Sequence, residues 1–394
     1  MIENSNLRIL VITNILPISE IERKKNENDV ILETEKKFKL YYPNIEFKYI
    51  FVTPYSNIIL SVFSKRWLSY YKLRRGKTYS LADHTVHIYG LLMFPIKFSF
   101  RKLFYKLSYF FNRKMIARVI KDFEPSVIHA QNVDEDVSLA RYIFKEYGIP
   151  YIVTLRSIQR KDSVVKTNLV GPSSYIAISF MQKKIANSFG IDPVFIPHGI
   201  PDSFFSTIES HEKRDTRIRI ISVCRLLKLK NLDMVIKALA TVNYDYTYHI
   251  YGDGPEKQNL ERLITRFDLS NKVTLHGFVP NRELPGILSN MDLFVMPSFP
   301  ETLGRVYLEA MACGLPIIGV KNTGIDGIVE NGKHGFLVDI DDERSLERVL
   351  TKVFDNPDQL REMSVNARKL VEAFRWEIII EKLHNVYIMS RDNS

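Results

Sequence analysis

Glu301 and Glu309 stand with seven residues between them in the run Glu301-Thr302-Leu303-Gly304-Arg305-Val306-Tyr307-Leu308-Glu309. The run reads as a tight turn followed by a short helix. Glu301 lies in the turn, and Glu309 is predicted about two turns into the helix, at 3.6 residues per turn. Thr302, Leu303 and Gly304 are expected to open the helix with their N–H groups pointing outward. Such a helix start favours a phosphate or a partly anionic oxygen. Gly304 lets a ligand approach the backbone closely. A carboxylate deeper on the helix can accept from two vicinal hydroxyls. These groups together suit a sugar nucleotide, with sugar hydroxyls at one end, diphosphate at the helix start and ribose at the other end. Apolar strands are predicted on both sides, Asp292–Pro297 before the turn and Gly314–Val320 after the helix. Open α/β sheets bind ligands at carboxyl strand ends of this kind.

A second group supplies cations. Arg225 follows the apolar strand predicted at Arg219–Cys224, and Lys230 precedes a predicted helix, Leu232–Ala240. Two cations at a strand-to-helix turn can clamp a diphosphate, Arg through its planar fork and Lys as a point charge. Asn231 follows, a residue that tolerates the left-handed backbone such a turn demands. Tyr251-Gly252-Asp253-Gly254-Pro255 is a glycine turn after another strand, and Phe278 and Val279 follow a third at His276-Gly277. Lys321–Gly327 reads as a turn. In the first half, Arg156 ends the strand Pro150–Leu155. It stays protonated, so it can bind an anion and does not serve as a base. His129 is a lone histidine on a short strand, expected to be packed. The carboxylates of Asp339-Ile340-Asp341-Asp342 read as a turn before a helix, and no metal site is predicted.

The elements that must carry these groups alternate, strand then helix, in two series, which predicts α/β domains with parallel sheets. At 394 residues two domains are expected. The first is assigned to residues 1–198, the second to 199–372, and a final helix to 373–394. His198–Asp202 reads as a hinge between them. No stretch of about 18 apolar residues is present to span a membrane. Met1–Asn6 has no basic start or apolar signal core. Cys224 and Cys313 sit in apolar contexts without metal-ligand spacing, as in a reducing compartment. A cytoplasmic protein is expected. Charge is uneven: residues 1–200 hold 30 Lys/Arg against 17 Asp/Glu, and residues 61–121 hold 14 against the single Asp83. Leu91–Lys114 interleaves aromatics with cations. A helix of that composition can lie in the interface of an anionic membrane, giving peripheral contact at its inner face. No recognised nucleic-acid-binding module accompanies the charge.

The two glutamates, the Arg225/Lys230 pair and the glycine turns, taken together, resemble the retaining glycosyltransferases of family four, the group 1 enzymes. The resemblance is strong from about Arg219 to Asp339. It implies the GT-B fold, two Rossmann-like domains facing across a cleft, with the last helix crossing back to the first domain. It further implies that Arg225 and Lys230 hold the diphosphate of a nucleoside diphosphate sugar, supported by Thr302, Leu303 and Gly304. Glu301 would bind the donor sugar, Glu309 the ribose, and Phe278 and Val279 the base. The donor is a substrate, and the family uses no metal and no further cofactor. The acceptor would be a glycan or lipid-linked glycan, as in assembly of bacterial capsule, exopolysaccharide or lipopolysaccharide. Two departures stand out. The family's glycine loop after the first strand is replaced by Asn14–Glu20, which has no glycine, and Arg156 stands where a histidine is usual. They leave open a catalytically inactive GT-B partner subunit, or a GT-B sugar-nucleotide epimerase or hydrolase.

Overall fold

The structure is a computed structural model. It describes residues 6–17, 30–54, 68, 71–72, 78–91, 101–156, 171–206 and 217–393. Residues 1–5 of the Met1–Asn6 stretch, the end of the Asn14–Glu20 loop and residues 92–100 of the basic aromatic stretch lie outside the described residues. Contacts divide the chain into two units. One comprises Met1–Ile178, Gln182–Ile196 and Ile380–Ser394, and the other Ser179–Met181 and Pro197–Ile379.

The first unit is built on strands β1 (Arg8–Thr13), β2 (Glu46–Pro54), β3 (Thr78–Leu81), β4 (His84–Leu91), β5 (Val127–Ala130), β6 (Tyr151–Leu155), β7 (Ser174–Ala177) and β8 (Val194–Phe195). Their order is β3-β4-β2-β1-β5-β6-β7-β8, parallel except for β3 against β4. Strands such as β1 and β6 are runs of apolar and β-branched residues without alternation, because helices cover both faces of a parallel sheet. The helix Glu135–Tyr147 stops at Gly148, which takes the left-handed conformation at φ 72° and donates to Phe144 O. β2, β3 and β4 go beyond the sequence expectations. β1 pairs with β2 on one side and β5 on the other, so the strand order reverses there. His129 on β5 is fully enclosed, with Nδ1 2.7 Å from the Tyr387 hydroxyl and Nε2 2.7 Å from Thr154 Oγ1. Burial, aided by nearby Arg156, pushes its pKa down to about 3, so it packs as a neutral ring. Tyr387 also meets Phe38, ring centroids 5.7 Å apart.

The second unit holds β9 (Ile218–Val223), β10 (Tyr246–Tyr251), β11 (Val273–Gly277), β12 (Leu293–Val295), β13 (Ile317–Val320) and β14 (Gly335–Val338). All are parallel, in the order β11-β10-β9-β12-β13-β14. Leu239, Leu346, Leu350 and Val295 lie in one buried cluster that joins helices Leu232–Thr241 and Glu343–Asp355 to the sheet. The reversal of strand order falls between β9 and β12. The stretch read as a hinge, His198–Asp202, begins just past the change of units at Ile196/Pro197 and is tied within the second unit. Ile200 N donates to Phe374 O at 2.8 Å, Gly199 lies flat on the Trp376 ring, and Arg375 pairs with Asp202 at 3.0 Å while stacking on Phe205. The chain changes units at Ile196/Pro197 and again at Ile379/Ile380.

Candidate donor site

The site grows from the two loops flanking the switch point of the second unit. After β9 the chain runs through Arg225 to a 3-10 turn, Lys228–Lys230. Asn231 then adopts φ 52° and ψ 34°, and helix Leu232–Thr241 begins. The left-handed residue expected at Asn231 is therefore present. Its side chain has a second task, donating from Nδ2 to Pro297 O at 3.0 Å in the loop after β12. Phe299 N donates to Leu229 O at 2.9 Å, a second tie between the same loops. Lys230 Nζ meets Glu301 Oε2 at 2.6 Å. Segments about seventy residues apart thus form one rim, and their opposite charges meet on it.

Glu301 is held from several sides. Besides Lys230, Ser298 Oγ donates to Oε2 at 3.2 Å, and Thr302 N donates to Oε1 at 3.1 Å. This corrects the expected helix start. The helix is Arg305–Ala312, and Gly304 is its N-cap at φ 69°. Thr302 and Leu303 precede it, Thr302 N–H is already taken by the Glu301 carboxylate, and Leu303 is buried. The physical reason is local: a glycine turn with φ > 0 ends one conformation before the helix starts. A Cβ on Gly304 would stand 2.5 Å from the Tyr307 ring, so glycine is needed there for space as well. Glu309 consequently lies one turn into the helix rather than two. It is buried, with Arg305 Nη2 3.9 Å away.

Arg225 is exposed, and among the described residues none pairs with its guanidinium. Its segment is fixed through its neighbours. Cys224 N donates to Tyr251 O at 3.0 Å and Leu226 N to Asp253 O at 2.9 Å. Gly252 and Gly254 fit against the Cys224 and Leu226 carbonyls, where added Cβ atoms would stand at 1.8 and 2.4 Å. The glycine turn after β10 is thus a shelf for Arg225. The Cys224 thiol, beside Lys230 and Glu301, is pushed up to about 12 by burial and stays protonated. Phe278 is 74% exposed; with Val279 it follows edge strand β11, on the same carboxyl rim but two strands out from β9. The Asp339–Asp342 carboxylates separate. Asp339 pairs with Lys321, and Asp342 caps helix Glu343–Asp355 through Ser345 N. Among the described residues no group of three His, Cys, Asp or Glu is placed to hold a metal.

Arg156 belongs to the first unit, at the carboxyl end of β6. Its Nη2 donates to Gln131 Oε1 at 2.6 Å and its Nε to Gln131 O at 3.1 Å. Next to it, Asn132 Nδ2 donates to Asn14 Oδ1 at 2.7 Å and reaches Asp136 Oδ2 at 3.4 Å. Asp136 is fully enclosed, and burial beside Glu135 raises its pKa well above the carboxylate range. Sequence reading gave Arg156 without this polar group. The three acids Asp134-Glu135-Asp136 look like an ordinary helix start. Arg305 was likewise hidden between the two glutamates that drew attention.

Residues 204–370 match the family model described as glycosyl transferases group 1. A putative colanic acid biosynthesis glycosyltransferase, WcaL of Escherichia coli K12, is 33% identical over 179 residues, 43% of this chain and 44% of that protein. A GDP-mannose-dependent monoacylated alpha-(1-6)-phosphatidylinositol monomannoside mannosyltransferase of Corynebacterium glutamicum is 30% identical over 235 residues, 54% of this chain and 61% of that protein. The chain thus spans about half the length of the curated relatives it matches. Among solved structures, the apo lipopolysaccharide outer core galactosyltransferase WaaB superposes with TM-score 0.71 at 17% identity, covering 98% of this chain and all of that one (100%). Anabaena Alr3699/HepE in complex with UDP gives TM-score 0.68 at 18% identity, covering 96% and 99%. These likenesses give the fold: GT-B, with two Rossmann-like domains.

Proposed function

We propose that this chain, which resembles the group 1 glycosyl transferases through residues 204–370, is a retaining glycosyltransferase. It moves a sugar from a nucleoside diphosphate sugar to a glycan or lipid-linked acceptor in bacterial surface polysaccharide assembly. One observation carries the reading. The Lys230–Glu301 pair, the exposed Arg225 and the buried Glu309 converge at the β9/β12 switch point, with both loops stapled together.

Arg225 and Lys230 face the diphosphate and stabilise its charge as it leaves. Because these cations counter that charge, the reading needs no metal. Glu301 binds hydroxyls of the donor sugar, and Glu309 accepts from the ribose. The bond from the anomeric carbon to the phosphate oxygen breaks, its electron pair going to the diphosphate. The acceptor oxygen attacks the same face and passes its proton to the leaving phosphate oxygen. This route suits the side chains present: the Cys224 thiol is protonated, and Glu301 is fixed by Lys230, Ser298 and Thr302. The test is nucleotide release from UDP-, GDP-, ADP- and CMP-sugars, with and without a lipid-linked glycan acceptor. One donor should turn over only with acceptor. Equal release without acceptor would mark a hydrolase or epimerase, and binding of no nucleotide an inactive partner.

Membrane contact rests on the helix Arg101–Phe123 of the first unit. Leu103, Leu107, Phe110 and Phe111 are exposed along one stripe with Lys106, Lys114 and Arg118, whereas Tyr105, Tyr109, Ile116 and Val119 face inward. Arg113 is spent on Glu146 at 2.8 Å. Aromatic rings beside cations match an anionic bilayer interface. No helix among the described residues is long and apolar enough to cross a membrane. Flotation with phosphatidylglycerol vesicles should recover the protein at low salt. Changing Phe110 and Phe111 to Ser, with Lys106 and Lys114 to Gln, should lower partitioning about tenfold or more, since each basic residue near the surface is worth about 1 kcal/mol. Unchanged flotation would remove this helix from the account.

A further inference from the structure

Three consecutive residues just before the helix Leu232–Thr241 each reach across to the same loop. Leu229 O accepts from Phe299 N at 2.9 Å, Lys230 Nζ meets Glu301 Oε2 at 2.6 Å, and Asn231 Nδ2 donates to Pro297 O at 3.0 Å. The three ties differ in kind. The first is backbone to backbone, and the second is an ion pair. The third is neutral, made by a side chain whose own backbone is left-handed at φ 52° and ψ 34°. Glycine meets that backbone at least as readily as asparagine. Aspartate tolerates it too, but an ionised carboxylate only accepts and cannot bond a carbonyl. Of these three residues, asparagine alone offers a donor to Pro297 O.

The loop on the far side carries Glu301. Ser298, next to Pro297, is buried and donates from Oγ to Glu301 Oε2 at 3.2 Å. Holding Pro297 therefore holds the segment that supports the carboxylate. In the proposed reaction Lys230 must share its charge between Glu301 and the diphosphate, so the ion pair slackens as the leaving group gathers charge. The bond from Asn231 carries no formal charge and in that reading touches no substrate, so it persists through the step.

Resting on the donor reading above, we infer that Asn231 is a positioning residue. Its carboxamide keeps the loops bearing Lys230 and Glu301 at fixed spacing while Lys230 turns to the leaving diphosphate. It acts on kcat, where a misplacement of about 1 Å can cost about a hundredfold, and far less on nucleotide affinity.

Asn231→Gly keeps the left-handed backbone and deletes the tie. With the donor that the full chain turns over, steady-state kinetics should show kcat lower by about tenfold to a hundredfold. Calorimetry with the matching nucleoside diphosphate should show affinity changed by less than about threefold, because Arg225, Lys230 and Glu309 are all retained. In a Lys230→Ala background the same change should lower kcat by less than about threefold, since residues acting through one another are not additive. Amide exchange at Phe299 N–H, the neighbouring tie, should speed about tenfold with no substrate present. An unchanged kcat would overturn the proposal. So would an affinity that falls in step with kcat, or a full-sized loss in the Lys230→Ala background, since Asn231 would then support the fold or the binding site and not the pair. A protein that turns over no sugar nucleotide would overturn the donor reading, whereas unchanged exchange at Phe299 in an active enzyme would overturn the Asn231 tie alone.

Discussion

Lys230→Ala is expected to lower kcat/KM for sugar transfer about a thousandfold, the upper range for removing one preorganised group aimed at developing charge. Lys230 Nζ is 2.6 Å from Glu301, and in the proposed role it faces the leaving diphosphate as that gathers charge. Its removal also leaves the Glu301 carboxylate, 15% exposed, without its cation. Both effects act on the reacting end of the donor, so the loss should appear in kcat as well as in KM. Glu309→Ala makes an instructive contrast. Glu309 is buried one turn further on and, in the proposed role, touches only ribose. A contact made equally in ground and transition states changes KM and leaves kcat nearly intact. The measurement is steady-state kinetics of both variants with the turned-over donor. A Lys230→Ala enzyme with normal kcat would remove Lys230 from the chemistry, and a kcat collapse in Glu309→Ala would place that carboxylate at the sugar.

Gly324→Ala should be severely damaging although it touches no ligand. Gly324 N donates to Glu301 O at 2.9 Å. A Cβ at this position would stand 1.8 Å from Thr302 O, 2.2 Å from its carbonyl carbon and 2.5 Å from Leu303 Cα. All three are backbone atoms, so no rotamer change relieves the clash. Overpacking of this kind typically costs about 1–3 kcal/mol, and here the strain falls on the loop that presents Glu301. We expect a lower urea midpoint for the second unit and at least about a hundredfold loss of transfer, as for a misplaced catalytic group. Gly286→Ala is the matched control. Nothing lies within 4 Å of its would-be Cβ, and it sits in the helix Leu284–Leu288, where Ala is favoured by about 1 kcal/mol. If Gly324→Ala is as active and stable as Gly286→Ala, the turn after β13 does not position Glu301.

Much of the second unit was legible in the sequence. Glycines, charged residues and unbroken apolar strands fall close together there, so each strand end announces the group it carries. Asn231 shows how far this reaches: its left-handed backbone was readable from residue type, but its bond to Pro297 was not, because that partner is set by tertiary folding. The helix start failed for a related reason. Thr302 and Leu303 have no turn signature of their own, and only the positive φ of Gly304 shows that the helix begins later. In the first unit the signal is thinner. β2, β3 and β4 were not read as strands: β3 is only four residues long, and β2 and β4 carry polar or charged residues among their apolar ones. Asp136 gives no hint of burial, since an acid in a first helical turn is ordinarily solvated. The hinge expectation rested on turn-forming residues alone, and the packing of Trp376 on Gly199 was not legible because the two lie far apart along the chain.

The last helix, Trp376–Asp392, also bears on the order in which the molecule is made. From Ile380 onward it belongs to the first unit, where Tyr387 closes over His129 and Phe38, and Ser390 reaches Ser174. A ribosome delivers these residues after every strand of both sheets has emerged. Domains usually fold as they appear, the amino-terminal one first. Here that order is inverted for completion: the second unit can close while the first still waits for its final segment, with His129 and Phe38 uncovered meanwhile. Contacts of such long sequence separation form slowly. The first unit is thus begun before the second and finished after it.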